Sequence, residues 1–369
     1  MKIEEFKNYF YSGPEFINLN NAGMANIPDV NRKTAIEWLD RFYREGARCN
    51  VEGWRKTDEV RTKLAKFLGA DEEEVGCFQT TAAALSQAAF GIKLNSGDEI
   101  LTWDQEYPSN YYPWLKAAER SSAKLIQIES ENWQTPVQKI LNRVTAKTKV
   151  IAISWVQYQT GAVSDLKIIS DAVKEKEVWL VADVIQGVGV RPFNFRESGF
   201  DIVCGGSHKW LCSQFGAGYM VIKKNKMHEL QPMQYGAMSF GTPDTPKNPQ
   251  NPLRSTAFRF EPGSKAMVEW IALGASLDLF SQIGVPTLFK EVSRLSLLLA
   301  EGLRNQTHLV WHEAPFVTFA PANKNNLELC VQKLEAAKIS FARRGPGIRL
   351  SVHAYNRDEE ILRALEALS

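Results

Sequence analysis

The sequence has 369 residues, 44% of them hydrophobic, and its 44 lysines and arginines nearly balance its 42 aspartates and glutamates. This length predicts two domains. The balanced, dispersed charge excludes the electrostatic signature of a nucleic-acid-binding or anionic-membrane protein and favours small-molecule chemistry.

The amino terminus has no apolar signal core, and no stretch approaches the roughly 20 apolar residues of a membrane span, which favours the cytoplasm. Five cysteines are scattered without a CxxC pair. They predict buried free thiols, and neither a disulfide framework nor a metal site.

The first predicted elements are helices. Apolar residues recur with helical spacing over 29–68, and a second helical run covers 81–90. Short β-branched runs then alternate with helical stretches such as 166–174. The runs lie at 99–103, 124–128, 150–155, 178–182 and 201–204. This alternation predicts right-handed βαβ units and a mostly parallel, buried sheet.

The carboxyl-terminal third is more mixed. Residues 216–224 predict one more strand, antiparallel or at an edge, and the proline-rich stretch 241–254 predicts a long loop that serves a site or an interface. A helix over 266–283 leads into a smaller unit with a strand at 348–352 and a helix at 358–368.

Lys209 is the most informative residue, and it lies 26 positions after Asp183. Both follow apolar strand-like runs, which places an amine and a carboxylate at the carboxyl edge of one sheet, where open α/β proteins bind ligands. An amine that can form a Schiff base and an acid that can keep a pyridine nitrogen protonated are the minimal equipment for pyridoxal phosphate chemistry.

Each of these residues also has an ordinary interpretation. A lone lysine is usually a solvated surface charge, and an aspartate after a strand often caps a helix. The small residues 205–207 before Lys209 favour instead a partly buried amine, which is a better nucleophile and base.

Three further residues suit the same ligand. Gln186 can donate to a phenolate oxygen or be an exposed glutamine. Thr81 begins a helix, where hydroxyl and backbone donors bind phosphate, or lies beside an ordinary cap. Tyr107 follows a strand and can stack on a planar ring, or be a core or rim aromatic.

The order of these motifs resembles the fold-type I, class V group of pyridoxal phosphate enzymes, which includes aminotransferases and cysteine desulfurases. The nearest branches are those of the kynureninases and isopenicillin N epimerase-like proteins. The resemblance covers nearly the whole chain. It is carried by segments 17–23 (INLNNAG), 80–82 (TTA), 106–110 (EYPSN), 156–161 (VQYQTG), 182–186 (ADVIQ), 207–211 (SHKWL), 259–264 (RFEPGS) and 348–356 (IRLSVHAYN).

The resemblance implies an α/β fold with a mostly parallel, seven-stranded-type sheet flanked by helices, followed by a smaller α+β domain. The large cofactor-binding domain is predicted to span 17–280. The small domain is predicted to combine 1–16 with 281–369.

For the cofactor, the resemblance implies that Lys209 forms the Schiff base, Asp183 pairs with the pyridine nitrogen and Gln186 lies near the ring oxygen. Tyr107 takes the ring-stacking position. The residues implied to bind the phosphate are Thr81, Ala82, Ser207 and His208.

The resemblance also implies a homodimer, because Gly263 and Ser264 match a turn that reaches the phosphate of the neighbouring subunit. Arg349 matches the guanidinium that holds the substrate carboxylate, a task suited to its bidentate fork. Asn21 is a further candidate for substrate binding, and Tyr158 falls where the desulfurases carry an asparagine.

Other candidates for the pocket wall are Tyr111, Arg254 and Arg343, all of which can equally be surface groups. Arg343 and Arg344 either recognise a second acidic group or form a solvated turn.

One departure from the desulfurases concerns their nucleophilic cysteine, which precedes the strand of the carboxylate-binding arginine. Residues 338–349 contain no cysteine, and Cys330 lies in an apparent helix where it is interpreted as packing. A persulfide-forming desulfurase is therefore disfavoured.

The leading hypothesis is an aminotransferase-like enzyme in which Lys209 removes the α-proton of an amino acid. A carbon–sulfur or carbon–selenium β-lyase, an amino acid epimerase or racemase, and a non-catalytic binding module remain alternatives. A dinucleotide-binding oxidoreductase is excluded because no GxGxxG motif follows the first strand.

Overall fold

The computed structural model describes residues 1–13, 15–241, 250–306 and 308–369. Its strands are β1 (Ile17–Asn18), β2 (Val75–Phe78), β3 (Glu99–Trp103), β4 (Lys124–Ile128), β5 (Thr148–Ser154), β6 (Trp179–Asp183), β7 (Ile202–Gly206), β8 (Gly218–Ile222), β9 (Leu309–Glu313), β10 (Phe316–Ala320), β11 (Ile339–Ser340), β12 (Ala342–Arg344) and β13 (Gly347–Ser351). Its helices are α1 (Ile3–Lys7), α2 (Asp29–Glu45), α3 (Asn50–Leu68), α4 (Thr81–Gly91), α5 (Pro108–Ser121), α6 (Val137–Leu141), α7 (Leu166–Val173), α8 (Phe195–Ser198), α9 (Met267–Ile283), α10 (Val285–Asn305), α11 (Leu327–Ala336) and α12 (Asp358–Leu368).

The main sheet has seven strands in the order β2-β8-β7-β6-β5-β3-β4. Strands β3 to β7 pair in parallel, whereas β8 is antiparallel to both of its neighbours. The predicted mostly parallel α/β fold is confirmed. Strand β8 is antiparallel, as predicted, but it does not lie at the edge, because the unpredicted strand β2 flanks it.

Both faces of this sheet are covered, so its strands are apolar on both sides. Ile100 and Val150 pack into one apolar cluster, whereas their neighbours Leu101 and Ile151 pack into the cluster on the opposite face. Every residue of β6 and β7 is buried. The central strands therefore form a buried apolar layer between the two sets of covering residues.

The long helical stretch predicted over 29–68 is two helices. Helix α2 ends before Gly46, whose φ of 55° lies in the left-handed region that favours glycine. A short 3₁₀ turn over Gly46–Cys49 then leads into α3. The apolar pattern continues through this break, which is why the sequence indicates one helix.

A second sheet, with the antiparallel order β12-β13-β10-β9, forms the smaller carboxyl-terminal part. Leu299, Leu350 and Ile361 join its strands and helices in one apolar cluster. Strand β1 pairs with β11, and Asn20 forms a parallel bridge with Ser351. The amino-terminal chain therefore bonds to the carboxyl-terminal part, and the domain bounds 17–280 and 1–16 with 281–369 stay a prediction.

Helices α9 and α10 connect the two parts. Trp270, Leu273 and Leu277 of α9 pack against the main sheet. In the described part of the chain no single helix has the length and apolar composition to cross a membrane; α9 and α10 together have them, across a bend of 82°.

All five cysteines are buried and unpaired, as predicted. The predicted loop 241–254 lies largely outside the described residues, since only its two ends are described.

Candidate active site

Lys209 and Asp183 meet at the carboxyl edge of two neighbouring parallel strands. Asp183 is the last residue of β6 and pairs in register with Cys204 of β7, and Lys209 follows in the turn after β7. This turn is held by a bond from the Cys212 amide to the Lys209 carbonyl, 3.1 Å long. Both side chains line one cavity of about 410 Å³.

Burial moves the pKa values of both groups toward neutral pH. It lowers the pKa of Lys209 to about 8, because a desolvated ammonium is costly; Asp183 opposes this effect and Arg349 adds to it. Burial likewise raises the pKa of Asp183 to about 6, against the amide of Ile185, which donates to its Oδ1 at 3.0 Å, and the charge of Lys209. The pair thus has an amine whose free-base fraction at neutral pH is larger than that of an exposed lysine, beside a carboxyl that a cationic partner would stabilise in its ionised form.

Gln186 lies in the same wall, with its amide held at both ends. Its Oε1 accepts from Trp210 Nε1 at 3.0 Å, and its Nε2 donates to the Ala22 carbonyl at 3.2 Å. One Nε2 hydrogen is left to point at a ligand, since a primary amide carries two.

The start of α4 forms one end of the cavity. Thr80 caps this helix by accepting from the Ala83 amide at 3.0 Å. The amides of Thr81 and Ala82, in the first turn of the helix, donate to no described group. The Thr81 hydroxyl is buried and has no hydrogen-bond partner among the described residues. Free donors at a helix start make an anion site.

Close packing at this end requires glycine. A Cβ on Gly206 would lie 2.7 Å from Thr81 Oγ1, and one on Gly218 would lie 2.4 Å from the Thr80 carbonyl carbon. The absence of both side chains lets α4 approach the ends of β7 and β8.

His208 lies in the wall of the cavity, whereas the neighbouring Ser207 lies behind it. His208 lines the cavity and stacks on Phe215 with 4.5 Å between ring centroids, and burial together with Lys209 lowers its pKa to about 4. Ser207 is buried behind the wall, where its hydroxyl donates to the Gln214 carbonyl at 2.7 Å.

Tyr107 lines the cavity with 42% of its surface exposed. The Tyr158 ring meets it edge to face at 5.1 Å between centroids and also lines the cavity. An exposed aromatic face in a pocket of this kind can cover a planar ligand.

Glu106, which the sequence pattern did not single out, anchors this aromatic wall. It is buried and accepts from the Ser154 amide at 2.7 Å, from Gln157 at 2.9 Å and from Asn110 at 2.8 Å. Burial raises the pKa of Glu106 to about 7, and these donors oppose the rise. Its neighbours in the chain are therefore held against β5.

Arg349 occupies the opposite end of the cavity, on β13. Its Nη2 donates to Asn20 Oδ1 at 3.0 Å and its Nη1 donates to the Tyr158 carbonyl, whereas its Nε is buried and has no partner in the described part of the chain. Burial, assisted by the charge of Arg344, lowers its pKa to about 9. A carboxylate would satisfy the free N–H and restore the charge balance.

Asn21 lies outside the cavity, and the neighbouring Asn20 lines it instead. Asn21 is fully buried, and its Nδ2 donates to the Ser351 carbonyl at 2.8 Å. Asn20 forms an isolated bridge with Ser351, and Asn21 begins the turn that follows, so the two side chains lie in different surroundings. The structure therefore places Asn20, and not the predicted Asn21, in the cavity wall, and a role of either residue in substrate binding stays a prediction.

Gly263 and Ser264 also lie away from this cavity, and Ser264 is exposed. Glu261 anchors their turn: its Oε1 accepts from the Cys77 amide at 2.8 Å and its Oε2 from Arg61 at 3.1 Å. Tyr111, Arg254 and Arg343 do not line the cavity either, whereas Arg344 does.

The donor set fits pyridoxal phosphate. The amine of Lys209 and the carboxyl of Asp183 match its aldehyde and its ring nitrogen, and the unpartnered Thr81 hydroxyl with the free amides of α4 matches its phosphate. The fold and the site together define a pyridoxal phosphate-dependent enzyme.

A profile of the Aminotransferase class-V family matches residues 17–363, and the chain belongs to this family. It is 24% identical over 328 residues to a probable cysteine desulfurase of Methanothermobacter thermautotrophicus, covering 83% of this chain and 81% of that protein. It is 23% identical over 371 residues to the uncharacterized aminotransferase YcbU of Bacillus subtilis, covering 99% and 97%.

Among solved structures, that of the cystine C–S lyase C-DES in complex with cysteine persulfide superposes with a TM-score of 0.88 at 22% identity, covering 97% of each chain. A C-DES variant with glycine linked covalently to its pyridoxal phosphate superposes with a TM-score of 0.89 at 21% identity, covering 100% and 99%. At this identity the likeness concerns the fold.

Proposed function

We propose that this enzyme removes the α-proton of an amino acid and then expels a substituent from the β-carbon without the help of a protein thiol. The observation that carries the proposal is a cavity in which the Lys209 amine and the Arg349 guanidinium both lie, with no cysteine among the described residues that line it. The names of the relatives, cysteine desulfurase and C–S lyase, support chemistry at the β-carbon.

Bound pyridoxal phosphate supplies an electron sink for negative charge at the substrate α-carbon. We assign Lys209 to hold the cofactor, and we assign its Nζ to accept the α-proton of the substrate. The α C–H electron pair becomes the Cα–Cβ double bond and the β-substituent leaves with its own bonding pair, so no oxidant is needed.

The other residues bind and orient. Asp183 would pair with the ring nitrogen, Gln186 would donate to the ring oxygen and Tyr107 would cover the ring. Thr81, Ala82 and His208 would hold the phosphate, with Ser207 holding the turn behind it. Arg349 binds the substrate carboxylate and Asn20 orients its guanidinium, which fixes the α-carbon relative to Lys209.

Transamination is the second candidate, and it is the leading hypothesis from the sequence motifs. Its support is the relative YcbU, described as an aminotransferase and matched over almost its whole length. Both reactions use the same base and the same carboxylate clamp, so they differ only in the steps after removal of the α-proton.

The products separate the two reactions. Purified holoenzyme would be incubated with β-substituted amino acids such as L-cystine, S-methyl-L-cysteine and L-serine, with and without a keto acid acceptor. Keto acid and ammonia formed in equal amounts without acceptor support β-elimination. Keto acid that forms only with acceptor and without ammonia supports transamination and contradicts the proposal.

A homodimer with shared sites is part of the proposal. Gly263 and Ser264 do not line the cavity of their own chain, and a Cβ on Gly263 would meet no atom of the described residues within 4 Å. Tyr107 and Phe215 leave 42% and 59% of their surfaces exposed at the cavity. These features support a neighbouring subunit whose turn closes the phosphate end.

Subunit complementation tests this arrangement. Gly263→Trp and Lys209→Ala would each be inactive alone, the first by obstructing its neighbour's site. Mixed dimers contain one site with an intact Lys209 and an intact neighbouring turn, so activity should return to about half per such dimer. Activity of Gly263→Trp alone at the level of the unaltered enzyme would contradict a shared site.

A further inference from the structure

The two arginines of the β12–β13 hairpin, Arg343 and Arg344, point to opposite sides of their strand. Arg343 binds Glu328, with its Nη2 at 2.8 and 2.7 Å from the two carboxylate oxygens. Arg344 and Ala342 instead line the cavity. This division follows from strand geometry, in which successive side chains alternate between faces.

Arg344 has no anionic partner in the described part of the chain, since no described carboxylate lies within 4.0 Å of it. Its Nη1 donates to the Arg343 carbonyl at 2.9 Å, and its guanidinium carbon lies 5.8 Å from the centroid of the Tyr158 ring. Four of its five N–H donors are thus available for a ligand.

The charges around the cavity are unequal. Lys209, Arg344 and Arg349 line it as cations, whereas Asp183 is the one carboxylate among its described lining residues. Arg344 acts electrostatically within this space, because after burial it is the main cause of the lowered pKa of Arg349. A substrate α-carboxylate on Arg349 leaves the charge of Arg344 uncompensated.

We propose that Arg344 binds a second negative charge on the substrate side chain, so that the enzyme acts on α-amino acids in which the group expelled from the β-carbon ends in a carboxylate. This inference rests on the proposed function and narrows its substrate class. Arg344 lies on the same strand face as Ala342, which pairs with Arg349, so both guanidinium groups face one bound molecule. A planar fork suits a two-oxygen anion at that position.

The test compares isosteric amino acids that differ in charge. Holoenzyme would be titrated with L-aspartate and L-asparagine, and separately with L-glutamate and L-glutamine. The change in its visible absorption would be recorded as the measure of binding. We expect the acidic member of each pair to bind about tenfold more tightly, the order of a charge-assisted hydrogen bond at a partly open site. This preference should shrink as salt is raised.

Arg344→Gln should reduce the preference to within about twofold, and Arg344→Lys should retain part of it. The matched control is Arg343→Gln, which removes the adjacent charge on the other strand face and should keep the preference. Equal binding of aspartate and asparagine by the unaltered enzyme would overturn the proposal. An equal loss in both glutamine variants would overturn it as well.

A second measurement does not depend on the reaction. Succinate should raise the midpoint of thermal unfolding more than butyrate does, both for the holoenzyme and for the cofactor-free protein, in the unaltered protein and in Arg343→Gln but not in Arg344→Gln. Succinate and butyrate having equal effects would contradict the role of Arg344. A colourless protein after reconstitution would instead contradict the proposed function, and this second measurement still tests Arg344 in that case.

Discussion

The two ends of the cavity are built in different ways. The end with Lys209 and Asp183 grows out of β6 and β7, whose residues are all buried within a sheet covered on both faces. The end with Arg344 and Arg349 belongs to a short hairpin in which Arg349 is buried and Arg344 is exposed. Burial shifts the pKa values of an amine and a carboxyl at the first end, whereas the second end presents two guanidinium groups, of which only Arg349 is buried.

We expect the two ends to have different functions, one in proton transfer and the other in binding. Burial lowers the pKa of Lys209 to about 8 and raises that of Asp183 to about 6, so the chemistry of this end depends on the core of the main sheet. The hairpin end depends on strand register and on partners such as Asn20. Substitutions at the first end should therefore change reaction rates, and substitutions at the second should mainly change binding.

The largest effect is expected for Lys209→Ala. Removal of a positioned general base costs about 10²–10⁴-fold in rate, and loss of the covalent link to the cofactor adds to this. The measurements are turnover and a peptide map after borohydride reduction of the holoenzyme. Lys224→Ala, which removes an exposed lysine paired with Glu73, is the control and should keep both. Reduction that labels a residue other than Lys209 would contradict the site.

At the hairpin end, Arg349→Gln should lower kcat/KM by about 10–150-fold, the range of a hydrogen bond to a charged group. Most of this loss should be in KM, because the carboxylate clamp acts in both the ground and the transition state. Arg349→Lys should restore little, since an ammonium lacks the planar fork. A loss confined to kcat would remove the proposed division between the two ends.

The pH dependence tests the buried end more finely. The rate at which cofactor-free protein binds pyridoxal phosphate covalently should rise with pH and level off above about 8, where Lys209 becomes the free amine. The free-amine fraction grows roughly fivefold between pH 7 and 8 for such a group. A rate that keeps rising up to pH 10 would show that burial has not shifted this pKa.

The same shift has a consequence for stability. The unfolded chain keeps lysine protonated up to about 10.5, whereas the folded chain releases the proton near 8. The unfolded state therefore binds more protons between these values, so the Lys209 contribution to the free energy of unfolding rises with pH in that window. Compared with Lys209→Met, the unaltered cofactor-free protein should gain stability from pH 8 to 10.

The smallest effects separate two adjacent asparagines. Asn20→Ala should raise KM by about 3–10-fold, because it loosens Arg349, and should leave folding stability nearly unchanged. Asn21→Ala should lower the free energy of unfolding by about 1–3 kcal/mol, since it leaves buried partners unsatisfied, with little change in KM. Steady-state kinetics and urea unfolding on both variants check this reversal. An identical pattern in the two would contradict the corrected placement.

The buried end could be predicted almost completely from the sequence. Continuous apolar runs mark β6 and β7, and the polar residues that end them, Asp183 and Lys209, have to meet at one sheet edge. Strand β2 was missed because it is only four residues long and contains Gly76. Its pairing with β8 is a long-range contact that local pattern does not encode.

The hairpin end could be predicted only in part. The motif singled out Arg349, but whether Arg343 or Arg344 lines the cavity depends on strand register, and Asn20 lines it in place of Asn21 because a turn begins at Asn21. A shift of one residue exchanges the two faces of a strand, and neither composition nor spacing sets that register here. Glu106 was missed because its function depends on Ser154 and Gln157, which are distant in the sequence.

The turn at Gly345, with its φ of 51°, joins the strand of Arg344 to that of Arg349 at the protein surface. Changes in its length or composition can move Arg344 without disturbing the core that tunes Lys209. Substitutions or insertions in this short turn can therefore change which substrates bind while the residues around Lys209 stay as they are. This separation is one physical route by which proteins of this architecture can acquire new substrates.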